Sequence, residues 1–172
     1  QGNLINNVRP DGPFEEQVFD IDVEEGVLWA VAGGYNQSYN NQFRGGRIYR
    51  LEEGSWTSYI DFSEPSLNGV FDVLSVNIKA GNPNEVYFGS WGAGLVEYKN
   101  STPFEVYRDT NSSLNDRLLW PGWVGTGGTT FDDDGNLWVV NSYTSSLLSR
   151  RTPSGNWNQV TFPQLDEEIA AT

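Results

Sequence analysis

Apolar and polar residues alternate along this chain in short runs that stop at glycine, asparagine, aspartate or proline. Three runs share one pattern. Leu28-Trp29-Ala30-Val31-Ala32-Gly33-Gly34, Val86-Tyr87-Phe88-Gly89-Ser90-Trp91-Gly92 and Leu137-Trp138-Val139-Val140-Asn141-Ser142 each lead an apolar or aromatic stretch into small, turn-forming residues. Each follows another short run across a turn: Val18–Asp22, Leu74–Ile78 and Thr129–Asp132. Two more runs follow each anchor: Arg47–Leu51 and Trp56–Ile60, Gly94–Tyr98 and Phe104–Tyr107, Ser146–Arg150 and Trp157–Phe162. Period-two alternation is the mark of half-buried strands, and turn residues between consecutive runs mark hairpins. The pattern therefore predicts four antiparallel strands in each of three units.

The turns support this. Asp134-Gly135-Asn136, Glu25-Gly26 and Gly81-Asn82-Pro83-Asn84 occupy the same slot in the three units, and Asp, Gly and Asn tolerate the positive φ of tight hairpins. Glycine, asparagine and serine interrupt every candidate helical period before it is established. The reading is all-β.

Taking Trp29, Tyr87 and Trp138 as equivalent gives intervals of 58 and 51 residues, and the longer one contains a polar insertion from Tyr35 to Gly45. An all-strand repeat of roughly 50 residues is the spacing of a β-propeller blade. The expected architecture is thus a β-propeller of four-stranded antiparallel blades, with blades at residues 14–64, 65–114 and 115–165. Residues 1–13 read as the outer end of a preceding blade, and residues 166–172 as the start of a following one or a tail. A propeller needs at least about four blades, and each repeat buries its faces only against neighbours. The chain is therefore expected to be a segment of a larger propeller, and its first partners to be other blades or domains of the same protein.

Charge and missing residue types narrow the function. With 23 acidic against 10 basic residues the formal net charge is −13, which excludes a generic nucleic-acid binder and argues against adhesion to anionic lipid. There is no cysteine and no histidine, so disulfides, thiol nucleophiles and histidine-based catalysis or metal ligation are impossible within it. No stretch approaches the ~20 apolar residues of a membrane span, and no signal-peptide pattern opens the chain; an export signal would lie upstream. Asp132-Asp133-Asp134-Gly135-Asn136 begins like a calcium loop, but the position that an EF-hand gives to glutamate is Tyr143, so the segment reads as an acidic hairpin. Neighbouring carboxylates occur at Asp20/Asp22, Glu24/Glu25, Glu52/Glu53 and Glu167/Glu168, the minimum for glycoside hydrolysis, without any further mark of catalysis. The expectation is a protein that is not an enzyme and carries no cofactor or metal.

The candidate binding residues are aromatic and lie outside the strands: Tyr35 and Tyr39 with Phe43 in the insertion, Trp91 between glycines, and Trp120 and Trp123 in the connection into the third unit. Rings in loops at a propeller mouth offer stacking surfaces for a glycan or peptide, with Asn and Gln as hydrogen-bonding neighbours. The alternative is that Trp120 and Trp123 fold back to cover a blade edge.

Phe131-Asp132-Asp133-Asp134-Gly135-Asn136-Leu137-Trp138-Val139 resembles the core of the two-component-regulator propeller repeat, common in Bacteroidetes, and Gly89-Ser90-Trp91-Gly92-Ala93-Gly94-Leu95 with Asn111-Ser112-Ser113-Leu114 resembles its variants. Together with Asn141-Ser142 and Pro153-Ser154-Gly155-Asn156-Trp157 the combination is similar to the N-terminal propeller of PorZ-like proteins of the type IX secretion system. The first unit departs from the repeat, since Glu24-Glu25-Gly26-Val27-Leu28-Trp29 lacks the asparagine. The resemblance implies a non-catalytic scaffold at the bacterial surface, outer membrane or periplasm, meeting cell-surface proteins and glycan or lipopolysaccharide. The same repeat implies, alternatively, the periplasmic glycan sensor of a hybrid two-component system. A propeller-fold polysaccharide lyase or hydrolase is the enzymatic alternative, and no catalytic residues transfer from the resemblance.

Overall fold

The computed structural model of the protein describes residues 11–162, and over them the chain forms twelve strands in three antiparallel sheets. The first sheet holds β1 (Asp20–Glu24), β2 (Val27–Val31), β3 (Arg47–Glu52) and β4 (Ser55–Ile60). The second holds β5 (Val73–Lys79), β6 (Asn82–Ser90), β7 (Gly94–Lys99) and β8 (Ser101–Tyr107). The third holds β9 (Gly125–Phe131), β10 (Leu137–Ser142), β11 (Leu148–Arg151) and β12 (Trp157–Val160). Each sheet is a meander in sequence order, and a single turn of 3₁₀ helix, Pro65–Leu67, precedes β5. The readings of residues 166–172 and of most of 1–13 lie outside the described residues.

Local chemistry sets the turns. Glu25 and Gly26 both adopt positive φ (49° and 82°), as do Glu53 and Gly54 (49° and 79°), the conformation that lets a two-residue hairpin follow the strand twist. Several strand starts differ from the alternation: β6 begins at Asn82, inside the expected Gly81–Asn84 turn, which the β5–β6 ladder takes up, β8 begins at Ser101 rather than Phe104, and β9 begins at Gly125 rather than Thr129, while two strands begin later than read. β1 begins at Asp20 rather than Val18, because Val18 and Phe19 lie before the ladder with only the Phe19 N–H bonded to the Val31 carbonyl (2.7 Å). β11 begins at Leu148 rather than Ser146, because Tyr143 takes a left-handed φ of 60° and the following residues complete a wider loop.

The sheets stack face to face, and the alternation of β6 shows how. Val86 and Phe88 face the first sheet, where they meet Trp29, Val31 and Ile48; Tyr87 faces the third, with Leu95 and Tyr107, against Leu137 and Val139. Trp29 is fully buried, its ring 5.5 Å from Phe88 and 4.7 Å from Tyr98, and its indole N–H donates to the Pro83 carbonyl (3.0 Å). Burial of this kind is the main stabilising contribution between blades.

Polar stitches add register. β1 lies beside β5, and both edges carry unpaired backbone N–H groups. Asp20 accepts from Ile21 N–H (3.0 Å) and Val76 N–H (3.0 Å); Asp22 accepts from Val23 N–H (2.8 Å) and Ile78 N–H (2.7 Å). Each carboxylate thus bridges two strands that are not paired to each other, satisfying donors that would otherwise be lost. Between the second and third sheets, Glu97, 3 % exposed, accepts from Tyr87 (2.7 Å) and Tyr107 (2.6 Å) and pairs with Arg151 (3.3 Å), whose Nη atoms reach the same two hydroxyls at 2.9 Å. Burial, with the hydrogen bonds to Glu97, pushes both tyrosines far above their ordinary range. Burial alone would lower Arg151, but Glu97 and the tyrosines raise it instead. This buried charge cluster locks one blade to the next.

The outermost faces differ. On β1, Ile21 and Val23 point away from the second sheet and are exposed, and on β10 Val140 is exposed beside Trp138 and Leu148. These apolar positions have the alternation that the other faces bury.

Candidate functional site

In a four-stranded meander the tight hairpins β1–β2 and β3–β4 lie at one end, and the second-to-third connections and the links between sheets lie at the other. At this second end the β2–β3 loop, the β8–β9 link and the β10–β11 loop converge on a cleft of about 330 Å³. The first contributes Ser38, Tyr39, Asn40, Asn41 and Phe43, the second Arg117, Trp120 and Trp123, and the third Tyr143.

A buried acid shapes the loop. Asp72 is fully buried, with φ of 49°. Its carboxylate accepts from the backbone N–H groups of Gln42 (2.9 Å), Phe43 (3.0 Å) and Arg44 (3.0 Å) and from the Asn41 amide (3.0 Å). Successive amides converging on one anion make a backbone nest, here closed by a carboxylate of the protein itself. Asn41 carries the network onward, donating to the Trp91 carbonyl (3.1 Å) and accepting from Arg117 Nη1 (3.0 Å).

Arg117 is 4 % exposed although it lines the cleft. Its guanidinium lies against both Trp91 and Tyr143, 4.8 and 5.3 Å from the ring centroids, which themselves pack edge to face at 5.8 Å, each a favourable cation–π contact. Nη2 donates to the Trp91 carbonyl, while Nε is buried without an acceptor. No carboxylate forms an ion pair with it among the described residues. Burial lowers its pKa, against smaller opposing pulls from Tyr143 and Asp72; an arginine nevertheless stays charged.

Backbone strain converges on the same place. Tyr39, Phe43 and Tyr143 adopt left-handed φ values of 58°, 57° and 60°, a conformation costly for a bulky residue. Packing and hydrogen bonds hold each one. The Tyr39 carbonyl accepts from the Trp91 indole (2.7 Å), the Phe43 ring meets Phe71 and Trp123 at 5.7 and 5.5 Å, and the Tyr143 carbonyl accepts from Leu118 N–H (2.9 Å). Asn36 Oδ1 accepts from Ser38 and Asn40 N–H groups (2.8 and 3.0 Å), fixing the loop tip.

Of the residues singled out in the sequence, Tyr39, Trp120 and Trp123 line this cleft, with Trp120 and Tyr39 about half exposed. Trp91 is 7 % exposed and lies beneath, facing a shallower neighbouring hollow of about 430 Å³ with Tyr39, Tyr143 and Leu147. Tyr35 is half-buried and packs against Phe19, Tyr39 and Trp91 without lining the cleft. Sequence reasoning missed Arg117, Asn41, Tyr143 and Asp72. For Arg117 a signal existed: it is one of only ten cationic residues and opens the run Arg117-Leu118-Leu119-Trp120-Pro121-Gly122-Trp123.

The acidic segments have other employment. Asp132 accepts from Asp134 and Asn136 N–H groups, the Asn136 amide and the Trp138 indole. The Trp138 and Asn136 hydrogen bonds hold its carboxyl down at about 2. The Asp-x-x-x-Asn-x-Trp spacing is therefore a turn-closing device. Glu167 and Glu168 lie outside the described residues, and no cluster of three metal-ligating side chains occurs among the described ones.

No protein-family model matches the chain, and no curated protein matches it significantly. Solved structures do. PorZ, an essential bacterial surface component of the type-IX secretion system of Porphyromonas gingivalis, superposes with a TM-score of 0.78 at 23 % identity over 89 % of this chain and 21 % of that one. The extracellular domain of a protein described as a one-component system from B. thetaiotaomicron superposes with a TM-score of 0.56 at 19 % identity over 90 % of this chain and 18 % of that one. The chain thus spans about a fifth of the length of these structures. At such identities the likeness is one of fold, and the fold is that of consecutive four-stranded β-propeller blades.

Proposed function

We propose that this chain is the blade segment of a non-catalytic β-propeller scaffold at a bacterial surface, and that its loop-end cleft is a glycan-binding site. The single observation that carries the reading is the convergence of three strained aromatic residues, Tyr39, Phe43 and Tyr143, on one cleft. Strain in bulky residues persists only where the surrounding structure over-determines it, and it concentrates at ligand sites. Stacking rings with amides and a hydroxyl are the lining a sugar ring uses. A role beside the type IX secretion machinery is supported by the likeness to PorZ, which is an argument from fold. Further blades meeting Ile21, Val23 and Val140 are supported by the apolar alternation exposed there.

The test is a glycan array probed with the purified chain, followed by titration of any binder against Trp120→Ala. Trp120 is half exposed and its side chain makes no hydrogen bond among the described residues, so the variant is expected to fold as the parent does, which its unfolding transition checks. Binding by the parent and at least about tenfold weaker binding by the variant are expected, the loss of one stacking surface. Retained affinity in the variant, or release of shortened saccharides on incubation, would overturn the reading.

A further inference from the structure

The cleft contains a buried cation that the protein leaves partly unsatisfied. Arg117 has five N–H donors in a planar fork. Among the described residues they meet two acceptors, Asn41 Oδ1 and the Trp91 carbonyl, and Nε meets none. Partly buried Arg151 offers the contrast: its Nε likewise meets no acceptor, but its Nη atoms reach a carboxylate, Glu97, and two tyrosine hydroxyls. Asp72 is close to Arg117 but its oxygens are engaged by the amides of residues 41–44. Two aromatic faces and the through-space pull of Asp72 compensate part of the desolvation of Arg117, but no carboxylate pairs with it directly among the described residues.

We infer that Arg117 is the carboxylate-binding group of the cleft, and that the ligand is a carboxylated sugar ring, a uronic acid residue of an acidic polysaccharide. This rests on the glycan-binding reading above and names its ligand class. Four observations set the class. A single cation lines the cleft, which suits one carboxylate better than a phosphate dianion or a densely sulfated chain. The planar fork of arginine fits a carboxylate, which it commonly binds in a bidentate pair. Trp120 and Trp123 supply flat faces beside it, and the side chains of Ser38 and Asn40 make no hydrogen bond among the described residues. A peptide carboxylate would also need backbone donors for its amides, yet the N–H groups of residues 42–44 in this loop are already taken by Asp72.

The experiment uses the whole chain and a panel of oligogalacturonate, alginate and hyaluronan oligosaccharides, each paired with its carboxyl-reduced, neutral counterpart. Binding is read by tryptophan fluorescence and calorimetry. At least one acidic oligosaccharide is expected to bind, with its neutral counterpart weaker by about tenfold or more, the value of one charge-assisted pair. Arg117→Gln is expected to bring the acidic form down to the affinity of the neutral one while the unfolding transition remains cooperative. Should that variant not fold, the acidic and neutral pair on the unaltered chain still decides. Equal binding of both members would overturn the carboxylate assignment and leave the glycan site standing. Absence of binding to every member would overturn the assignment too, and the array described above would then separate that failure from failure of the glycan reading. Preferential binding of a peptide with a free C-terminal carboxylate over its amide would refute the sugar class.

Discussion

Replacing Asp72 by alanine tests how the cleft is built. The carboxylate accepts four hydrogen bonds from residues 41–44, at 2.9 to 3.0 Å, and it is fully buried. A hydrogen bond to a charged group contributes about 1.5 kcal/mol net at the lower end of its range, so four give about 6 kcal/mol. The loop lies at the surface and regains water when it opens, which returns roughly half, so about 3 kcal/mol is expected to be lost from local stability. The cores of the sheet interfaces around Trp29 and Tyr87 do not depend on this carboxylate. Hydrogen exchange should therefore quicken at the amides of Gln42, Phe43 and Arg44 by about a hundredfold, while strands β5 to β7 keep their protection. Ligand affinity should fall with it, because Tyr39 and Phe43 lose the geometry they are held in. Asp72→Asn, which keeps one acceptor oxygen and tolerates the positive φ, should be intermediate. Unchanged exchange at residues 42–44 in the alanine variant would refute the nest as the organiser of the loop.

Other perturbations check the blade stacking. Trp29→Ala empties the centre of the first interface and should cost about 3–5 kcal/mol, read as a lowered denaturant midpoint. Glu97→Leu alone leaves Arg151 charged and partly buried, with only the Tyr87 and Tyr107 hydroxyls as partners, and should cost at most about 3–5 kcal/mol, whereas Glu97→Leu with Arg151→Met should recover much of that loss; a double-mutant cycle by urea unfolding measures the coupling. Alkaline stability follows from Tyr49 and Tyr59, which burial raises to about 12 from an ordinary value of about 10. The folded state holds their protons longer than the unfolded state, so stability is intact below about pH 10 and falls between about pH 10 and 12. Denaturant melts across that window should show the fall, and the double variant Tyr49→Phe, Tyr59→Phe should lose less.

The strands were legible because their determinants are local. Val86 and Phe88 alternate with Tyr87, and that alternation is the same signal that assigns two of them to one sheet interface and one to the other. Glu25-Gly26 announces a tight turn from two residues alone. The site is different, because its determinants are distant in sequence. Phe71-Asp72-Val73 reads as the approach to a strand, and nothing in it reveals that the acid will order a loop some thirty residues earlier. Tyr143 occupies a turn as any polar aromatic could, and only the packing against Arg117 gives it a role. The aromatic residues of the loops were readable as a class, yet their division into lining residues such as Trp120 and supporting ones such as Tyr35 depends on which way each loop folds.

The most direct test of a preorganised glycan cleft is a crystal structure of the chain soaked with an oligosaccharide that it binds in solution. A sugar ring is expected between Trp120, Trp123 and Tyr143, with its polar edge toward Arg117 and the loops in the positions they already hold. A sugar seated elsewhere, or bound only after the loop of Tyr39 and Phe43 has rearranged, would contradict it.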